Sequence, residues 1–145
     1  MSRHNYSCDF FDPLEVGRFH ARLKSTLYGR RGQAFLREMR AALLAMPEKR
    51  LIAGALEEEG AVCAMGCVGR ARNLDLSGVA ADDPEQVAKL MGISPTLVRE
   101  IAWNNDDEQE GGWGPEDFDN SPEAQEERYG RVLRWIERNL KEATP

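Results

Sequence analysis

The residues of this chain that could bind a metal ion are its three cysteines and two histidines. Cys63 and Cys67 are four positions apart, and His4 and Cys8 repeat that spacing. Three thiolates and one imidazole form a common structural zinc set, and three residues between two cysteine ligands are within the usual range. However, Cys63 and Cys67 lie in the apolar run AVCAMGCV, where cysteine behaves as a small core residue. The sequence therefore predicts buried thiols here, with neither a metal site nor a cofactor.

Patterns typical of enzymes are missing from the sequence. The run GGWG follows an acidic stretch rather than a strand, so it does not match a phosphate-binding loop. No serine lies in a nucleophile-elbow pattern. His20 falls within a helical pattern among cationic neighbours, which favours a surface position over general-base catalysis. We therefore expect a protein that is not an enzyme.

The stretch Pro84–Trp103, PEQVAKLMGISPTLVREIAW, has the pattern of a helix-turn-helix. Gly92 falls at the turn, where a positive φ favours glycine. Ser94 can cap the second helix with its side-chain oxygen. The next residue, Pro95, suits the first helical position. The predicted shared interior consists of Val87, Met91, Ile93, Val98 and Ile101.

In a DNA-binding helix-turn-helix, exposed residues of the second helix contact bases and phosphates. The candidates for such nucleic-acid contacts here are Thr96 and Arg99. Binding to the phosphate backbone needs several cations, yet this helix offers one and continues into the acidic run NNDDE. The pattern therefore favours a packing motif, and a DNA-binding regulator is the alternative function.

Charge is distributed unevenly along the 145 residues, whose net charge is −6. Residues 82–127 hold 14 acids and two bases, whereas the rest holds 11 acids and 17 bases. A surface of one sign selects partners of the other, so we expect a protein partner with a basic surface. Aromatic side chains dominate interface energies and serve as candidate anchors. The predicted partner-binding residues are Trp103, Asp106, Asp107, Glu108, Glu110, Trp113, Asp117, Phe118 and Asp119.

The predicted fold is a single, mainly helical α+β domain covering residues 1–145. It contains a helix pair, a short β-hairpin, the helix-turn-helix-like unit and a C-terminal amphipathic helix. The hairpin is predicted as Arg50–Leu56 against Ala61–Val68, with a helix over Glu48–Glu58 as the alternative. The remaining segments are an extended arm (1–12), an acidic loop (104–120) and the final helix (121–143).

Three features bear on location and assembly. No run approaches the ~20 apolar residues that span a bilayer, and the N-terminus has no apolar signal core. An odd number of cysteines suits a reducing compartment. We therefore expect a cytoplasmic protein without membrane contact. The apolar stripe from Tyr129 to Leu140 is typical of an intramolecular core, although it could also pair two copies as a homodimer.

The segments RHNYS, RGQAFLREM, AMPEKRLIAGAL, GAVCAMGCVGRAR and MGIS resemble a group of small proteins encoded by bacteriophages and prophages. The resemblance covers most of residues 3–107. It implies an accessory protein acting in the host bacterial cytoplasm, and it carries over no catalytic or binding residues. Together with the charge pattern, it favours binding and inhibition of a host protein, such as a bacterial defence complex (anti-CRISPR-like) or a nucleic-acid-handling complex. The alternative is a helix-turn-helix transcriptional regulator of a phage or prophage.

Overall fold

A computed structural model describes residues 13–106 and 115–141, which form six α-helices and one two-stranded antiparallel sheet. The elements are α1 (Pro13–Tyr28), α2 (Arg30–Leu44), β1 (Glu57–Glu58), β2 (Ala61–Val62), α3 (Ala64–Ala71), α4 (Pro84–Met91), α5 (Pro95–Asp106), a 3₁₀ helix (Pro115–Asp117) and α6 (Pro122–Asn139). The predicted mainly helical α+β class is confirmed. The predicted arm, 1–12, and part of the acidic loop, 107–114, lie outside the described residues.

Helix α5 is the centre of the fold. It packs against α1, α3, α4 and α6, while α2 packs against α3 and α6. Every residue of α5 is buried or half-buried, and Leu97, Val98 and Ile101 are among the most completely enclosed. Tyr129, Val132 and Ile136 of α6 are buried in the same core. These three residues of the apolar stripe of α6 therefore pack within the chain.

The helix-turn-helix geometry agrees with the sequence pattern. The Asp83 carboxylate accepts hydrogen bonds from the backbone N–H groups of Glu85 and Gln86, both at 3.2 Å, and so caps α4. Gly92 ends α4 with φ at +74°, as the turn requires. The Ser94 hydroxyl accepts from the Leu97 N–H at 3.2 Å at the start of α5. Local capping chemistry thus sets both ends of the turn.

The first and last helices also follow their capping signals. Gly29 alone separates α1 from α2. Ser121 caps α6, its hydroxyl accepting from the Ala124 N–H at 3.3 Å. Helix α6 ends at Asn139, because Leu140 has an extended backbone with ψ at 129°. The predicted helix over 121–143 is therefore correct at its start and shorter at its end.

The predicted short hairpin is present, but the bounds Arg50–Leu56 against Ala61–Val68 need correction: the first strand is Glu57–Glu58, and the second begins at Ala61 as predicted but ends at Val62. Only Glu57 with Val62 and Glu58 with Ala61 pair. The second strand ends because the Cys63 sulfur accepts from the Gly66 N–H at 3.3 Å and caps α3. The alternative helix over 48–58 is also absent, since this part of the described chain runs as irregular backbone into β1.

Gly66 is required where α3 meets the chain that leads into β1. A Cβ atom at Gly66 would lie 2.0 Å from the Leu56 carbonyl oxygen, a backbone atom that cannot move without shifting the hairpin. Gly130, in the middle of α6, differs, because a Cβ there would meet only the end of the flexible Arg134 side chain, at 3.0 Å.

This contrast predicts opposite effects of two alanine substitutions. Gly66→Ala should lower the free energy of unfolding by about 1–3 kcal/mol, because it overpacks a rigid contact. Gly130→Ala should raise it by up to about 1 kcal/mol, because alanine favours a helix. Urea unfolding followed by circular dichroism measures both. Equal stability of the two variants would contradict the close approach of α3 to Leu56.

Candidate protein interface

Residues 51–54 form a buried segment of irregular backbone just before β1, and polar side chains from α5 satisfy part of its hydrogen bonding. The Asn105 amide nitrogen donates to the Ile52 carbonyl at 2.9 Å and to the Asp106 carboxylate at 3.0 Å. The same carboxylate accepts from the Gly54 N–H at 3.2 Å. Asn105 is 0% exposed and Asp106 2%. Both side chains therefore hold the segment in place from inside the fold.

The other side of the segment is held by Asn120 and Arg128. The Asn120 amide oxygen accepts from the Ala53 N–H at 3.0 Å, and its nitrogen donates to the carbonyls of Ala53 at 3.2 Å and Pro115 at 3.1 Å. Arg128 donates to the Leu51 carbonyl at 2.9 Å and to the Asn120 side chain at 3.0 Å. These bonds fix the 3₁₀ helix beside the hairpin. We call Asn105, Asp106, Asn120 and Arg128 the buried polar network.

Two of the predicted partner-binding residues are buried. Asp106 belongs to the buried polar network, and Phe118 is 8% exposed. A buried carboxylate or ring cannot contact another protein without local unfolding.

The other predicted partner-binding residues are distributed as follows. Trp103 is half-buried on α5, and Asp117 is exposed in the 3₁₀ helix. Asp119 is exposed, and its carboxylate accepts from the Ser121 N–H at 2.9 Å, which lowers the pKa of Asp119. Asp107, Glu108, Glu110 and Trp113 lie outside the described residues.

An acidic groove of about 380 Å³ lies between the hairpin and the 3₁₀ helix. Three exposed carboxylates, those of Glu58, Glu59 and Glu116, line it, and Ile52, Ala61 and Asn120 are among its other lining residues. Within residues 13–106 and 115–141, none of these three carboxylates forms an ion pair. The groove therefore presents uncompensated negative charge to the solvent.

Sequence reasoning assigned Glu58 and Glu59 to a turn and did not place them in the interface. Their proximity to Glu116 results from contacts between residues more than 50 positions apart, such as the bonds of Asn120 to Ala53. The sequence shows two acidic runs, one at 57–59 and one at 116–119. Neither run contains a local pattern that predicts contact with the other.

A second cavity, the hairpin pocket, adjoins the acidic groove and has a volume of about 480 Å³. Its apolar lining residues are Ala42, Ala45, Met46, Pro47, Val62 and Ala71. Ala61 and Gln125 line both cavities, so the pocket and the groove form one continuous surface. A volume of this size can enclose a bulky apolar side chain or a small molecule.

The two arginines at the rim of the hairpin pocket are paired within the chain. Arg50 contacts the Glu126 carboxylate at 3.3 Å and that of Glu48 at 3.9 Å. Arg70 donates to the Gly60 carbonyl at 2.5 Å and contacts the Glu57 carboxylate at 3.5 Å. Their positive charge is thus offset locally, and the acidic groove determines the sign of the combined surface.

The thiols of Cys63 and Cys67 are buried and have structural roles. Cys63 caps α3, and Cys67 lines the hairpin pocket while being 5% exposed. Burial, followed by the proximity of Cys63, raises the pKa of Cys67 to about 11. The Cys67 thiol is therefore protonated at neutral pH and forms an apolar wall of the pocket. No cluster of three or more metal-ligating side chains occurs in the part of the chain that the structure describes.

The alternative nucleic-acid contacts, Thr96 and Arg99, are poorly placed for base recognition. Thr96 is 8% exposed, and Arg99 is half-buried. A recognition helix must lay one face in the major groove, about 12 Å wide. Helix α5 is instead surrounded by four helices, so its burial argues against DNA recognition in the usual helix-turn-helix mode.

Family models, curated proteins and solved structures gave no match to this chain. The resemblance to bacteriophage and prophage proteins therefore stays a prediction. No helix in the described ranges combines the length and apolarity needed to cross a bilayer.

From the buried polar network we expect that replacing Asn105 by alanine lowers the free energy of unfolding much more than replacing Asn104. Asn105→Ala removes the partner of the Ile52 carbonyl and of the Ala64 N–H, which lies 2.9 Å from the Asn105 oxygen. We expect a loss of about 2–4 kcal/mol in the free energy of unfolding, because buried polar groups are left unpaired.

Asn104→Ala is the matched control, since the Asn104 side chain bonds only to Glu100 of the same helix. We expect this variant to lose less than about 1 kcal/mol. Urea unfolding measures both free energies, and amide exchange of Ala64 reports the local effect. Similar losses in the two variants would contradict the role given to Asn105.

Proposed function

We propose that this protein is a non-enzymatic binding protein that engages a cationic surface of a host protein and thereby inhibits it. The acidic groove and the hairpin pocket would form the contact. One observation carries the proposal. The carboxylates of Glu58, Glu59 and Glu116 converge from two distant parts of the chain on one groove beside an apolar pocket, and no cation of the described residues forms an ion pair with them.

The two halves of this surface would make different contributions. Exposed ion pairs are worth about 0.2–1 kcal/mol each, so the groove would mainly accelerate association and select cationic partners. Affinity would come from an apolar side chain of the partner buried in the hairpin pocket, because enclosed anchors dominate interface energies. The proposed partner segment thus carries a bulky apolar residue flanked by lysine or arginine.

A basic surface on a bacterial protein is commonly a site where nucleic acid binds. Occupation of that surface by the acidic groove would exclude the nucleic acid and inhibit the partner. This mode of action supports a defence complex or another nucleic-acid-handling complex as the target. It also fits the resemblance to bacteriophage and prophage proteins, which implies action in the host cytoplasm.

Neutralising the groove should weaken the interaction about tenfold or more. The test variant Glu58→Gln/Glu59→Gln/Glu116→Gln removes three carboxylates from the acidic groove. The control Asp82→Asn/Glu127→Gln/Glu137→Gln removes the same charge from exposed sites that do not line the groove or the pocket. Tagged proteins are used for affinity capture from bacterial extract, with quantitative mass spectrometry of the bound proteins.

We expect the original protein and the control to enrich the same host protein, and the groove variant to lose at least about 90% of it. Raising the salt concentration should weaken the captured complex, because exposed charges are screened. Equal capture by all three proteins, or capture that high salt leaves unchanged, would contradict the proposed acidic contact.

A further inference from the structure

A basic groove of about 780 Å³ lies between the start of α2 and the turn that joins α4 to α5. Three cationic residues line it: Arg30 and Arg31 from α2 and Lys89 from α4. The one acidic lining residue is Glu85. The groove is therefore net positive, although the chain as a whole carries a charge of −6.

Some arginines of the fold are paired within the chain: Arg50, Arg70 and Arg72 each contact a carboxylate. Arg30, Arg31 and Lys89 are exposed, and no ion pair joins them to an acid in the described ranges. What distinguishes them from other exposed cations is that they line one groove, where they outnumber its single acid, Glu85. Such a groove favours a ligand that carries several negative charges.

Hydroxyl groups add hydrogen-bond donors to the same groove. Ser25, Thr26 and Ser94 line it, and the Ser94 hydroxyl is 3.5 Å from the Thr26 hydroxyl. Arginine, lysine and hydroxyl side chains are the groups that contact phosphate oxygens in protein–nucleic acid complexes. The groove is therefore better suited to phosphate groups than to the carboxylates of a protein surface.

The lining residues also indicate that the groove does not recognise bases. None of its lining residues within 13–106 and 115–141 is aromatic, so these residues offer unpaired bases no ring to stack on, as sites for single strands do. Helix α5 cannot enter a major groove, because four helices surround it. Contacts would therefore be made to the backbone alone.

We propose that the basic groove binds the sugar–phosphate backbone of a nucleic-acid duplex without sequence preference. Arg30 and Arg31 would contact phosphates from one side and Lys89 from the other. This site shares no lining residue with the acidic groove or the hairpin pocket, so the inference does not rest on the proposed protein interaction.

Fluorescence anisotropy with a labelled DNA duplex of about 20 base pairs tests the inference, at salt concentrations between about 50 and 200 mM. We expect binding at the lowest salt. The slope of log K against log salt should be about −2 to −3, since each neutralised phosphate contributes about −0.9. Two duplexes of unrelated sequence should bind equally.

Arg30→Ala/Arg31→Ala/Lys89→Ala should lower the affinity at least about tenfold and flatten the salt slope. The control Arg37→Ala/Arg134→Ala/Arg138→Ala removes three exposed cations that do not line the basic groove, and it should bind within about twofold of the original protein. Circular dichroism checks that both variants are folded.

Three results would overturn the inference. They are an absence of duplex binding at the lowest salt, an equal loss in the two triple variants, and binding of a single strand or inorganic triphosphate that matches or exceeds binding of the duplex.

Discussion

The fold depends on the way in which a stretch of irregular backbone is accommodated inside a helical protein. Residues 51–54 are buried or nearly so, yet they belong to neither a helix nor a strand. Buried backbone groups must find partners, because each unpaired group is destabilising by about 1–3 kcal/mol. The buried polar network supplies several of these partners from α5, α6 and the loop before α6, and the N–H groups of Leu51 and Ile52 donate to the backbone carbonyls of Gln125 and Val62. The network thereby fixes the hairpin and the 3₁₀ helix relative to the core, and with them the acidic groove.

This arrangement divides the acidic residues of the chain into two groups. Some act within the fold: Asp106 holds Gly54, while Asp83 and Asp119 accept hydrogen bonds from backbone N–H groups near helix starts. Others remain exposed and uncompensated around the acidic groove. Only the second group can generate a field that a partner would sense, so the charge asymmetry of the sequence overstates the acidic surface that 82–106 contributes. The hairpin lies outside residues 82–127, yet its Glu58 and Glu59 contribute two of the three carboxylates of the acidic groove.

Five of the six helices in the described residues could be predicted from sequence because their ends are set by local chemistry, whereas most of α3 was predicted as a strand. Asp83, Gly92, Ser94 and Ser121 cap or end helices through hydrogen bonds and backbone angles within a few positions. The bounds of the hairpin could not be predicted, since AVCAMGCV suits a strand and a small-residue helix equally well by periodicity. The Cys63 cap, a weak sulfur acceptor, ends the second strand after Val62.

The candidate interface was less accessible to sequence reasoning for a different reason. The inward position of Asp106 depends on a bond to Gly54, 52 positions earlier, and the position of Glu116 beside the hairpin depends on Asn120. An acidic run by itself does not reveal which of its carboxylates face the interior. The basic groove has the same origin, because its lining residues come from α1, α2, α4 and the start of α5, which tertiary packing brings together.

In the proposed complex, the carboxylates of the acidic groove contact lysines of a protein partner. Zero-length carbodiimide crosslinking in bacterial extract, with peptide mass spectrometry, tests this contact because the reagent joins a carboxylate to an amine only when the two touch. We expect crosslinks from Glu58, Glu59 or Glu116 to lysines of one host protein. Crosslinks confined to exposed acids elsewhere, such as Asp82 and Glu127, would contradict it.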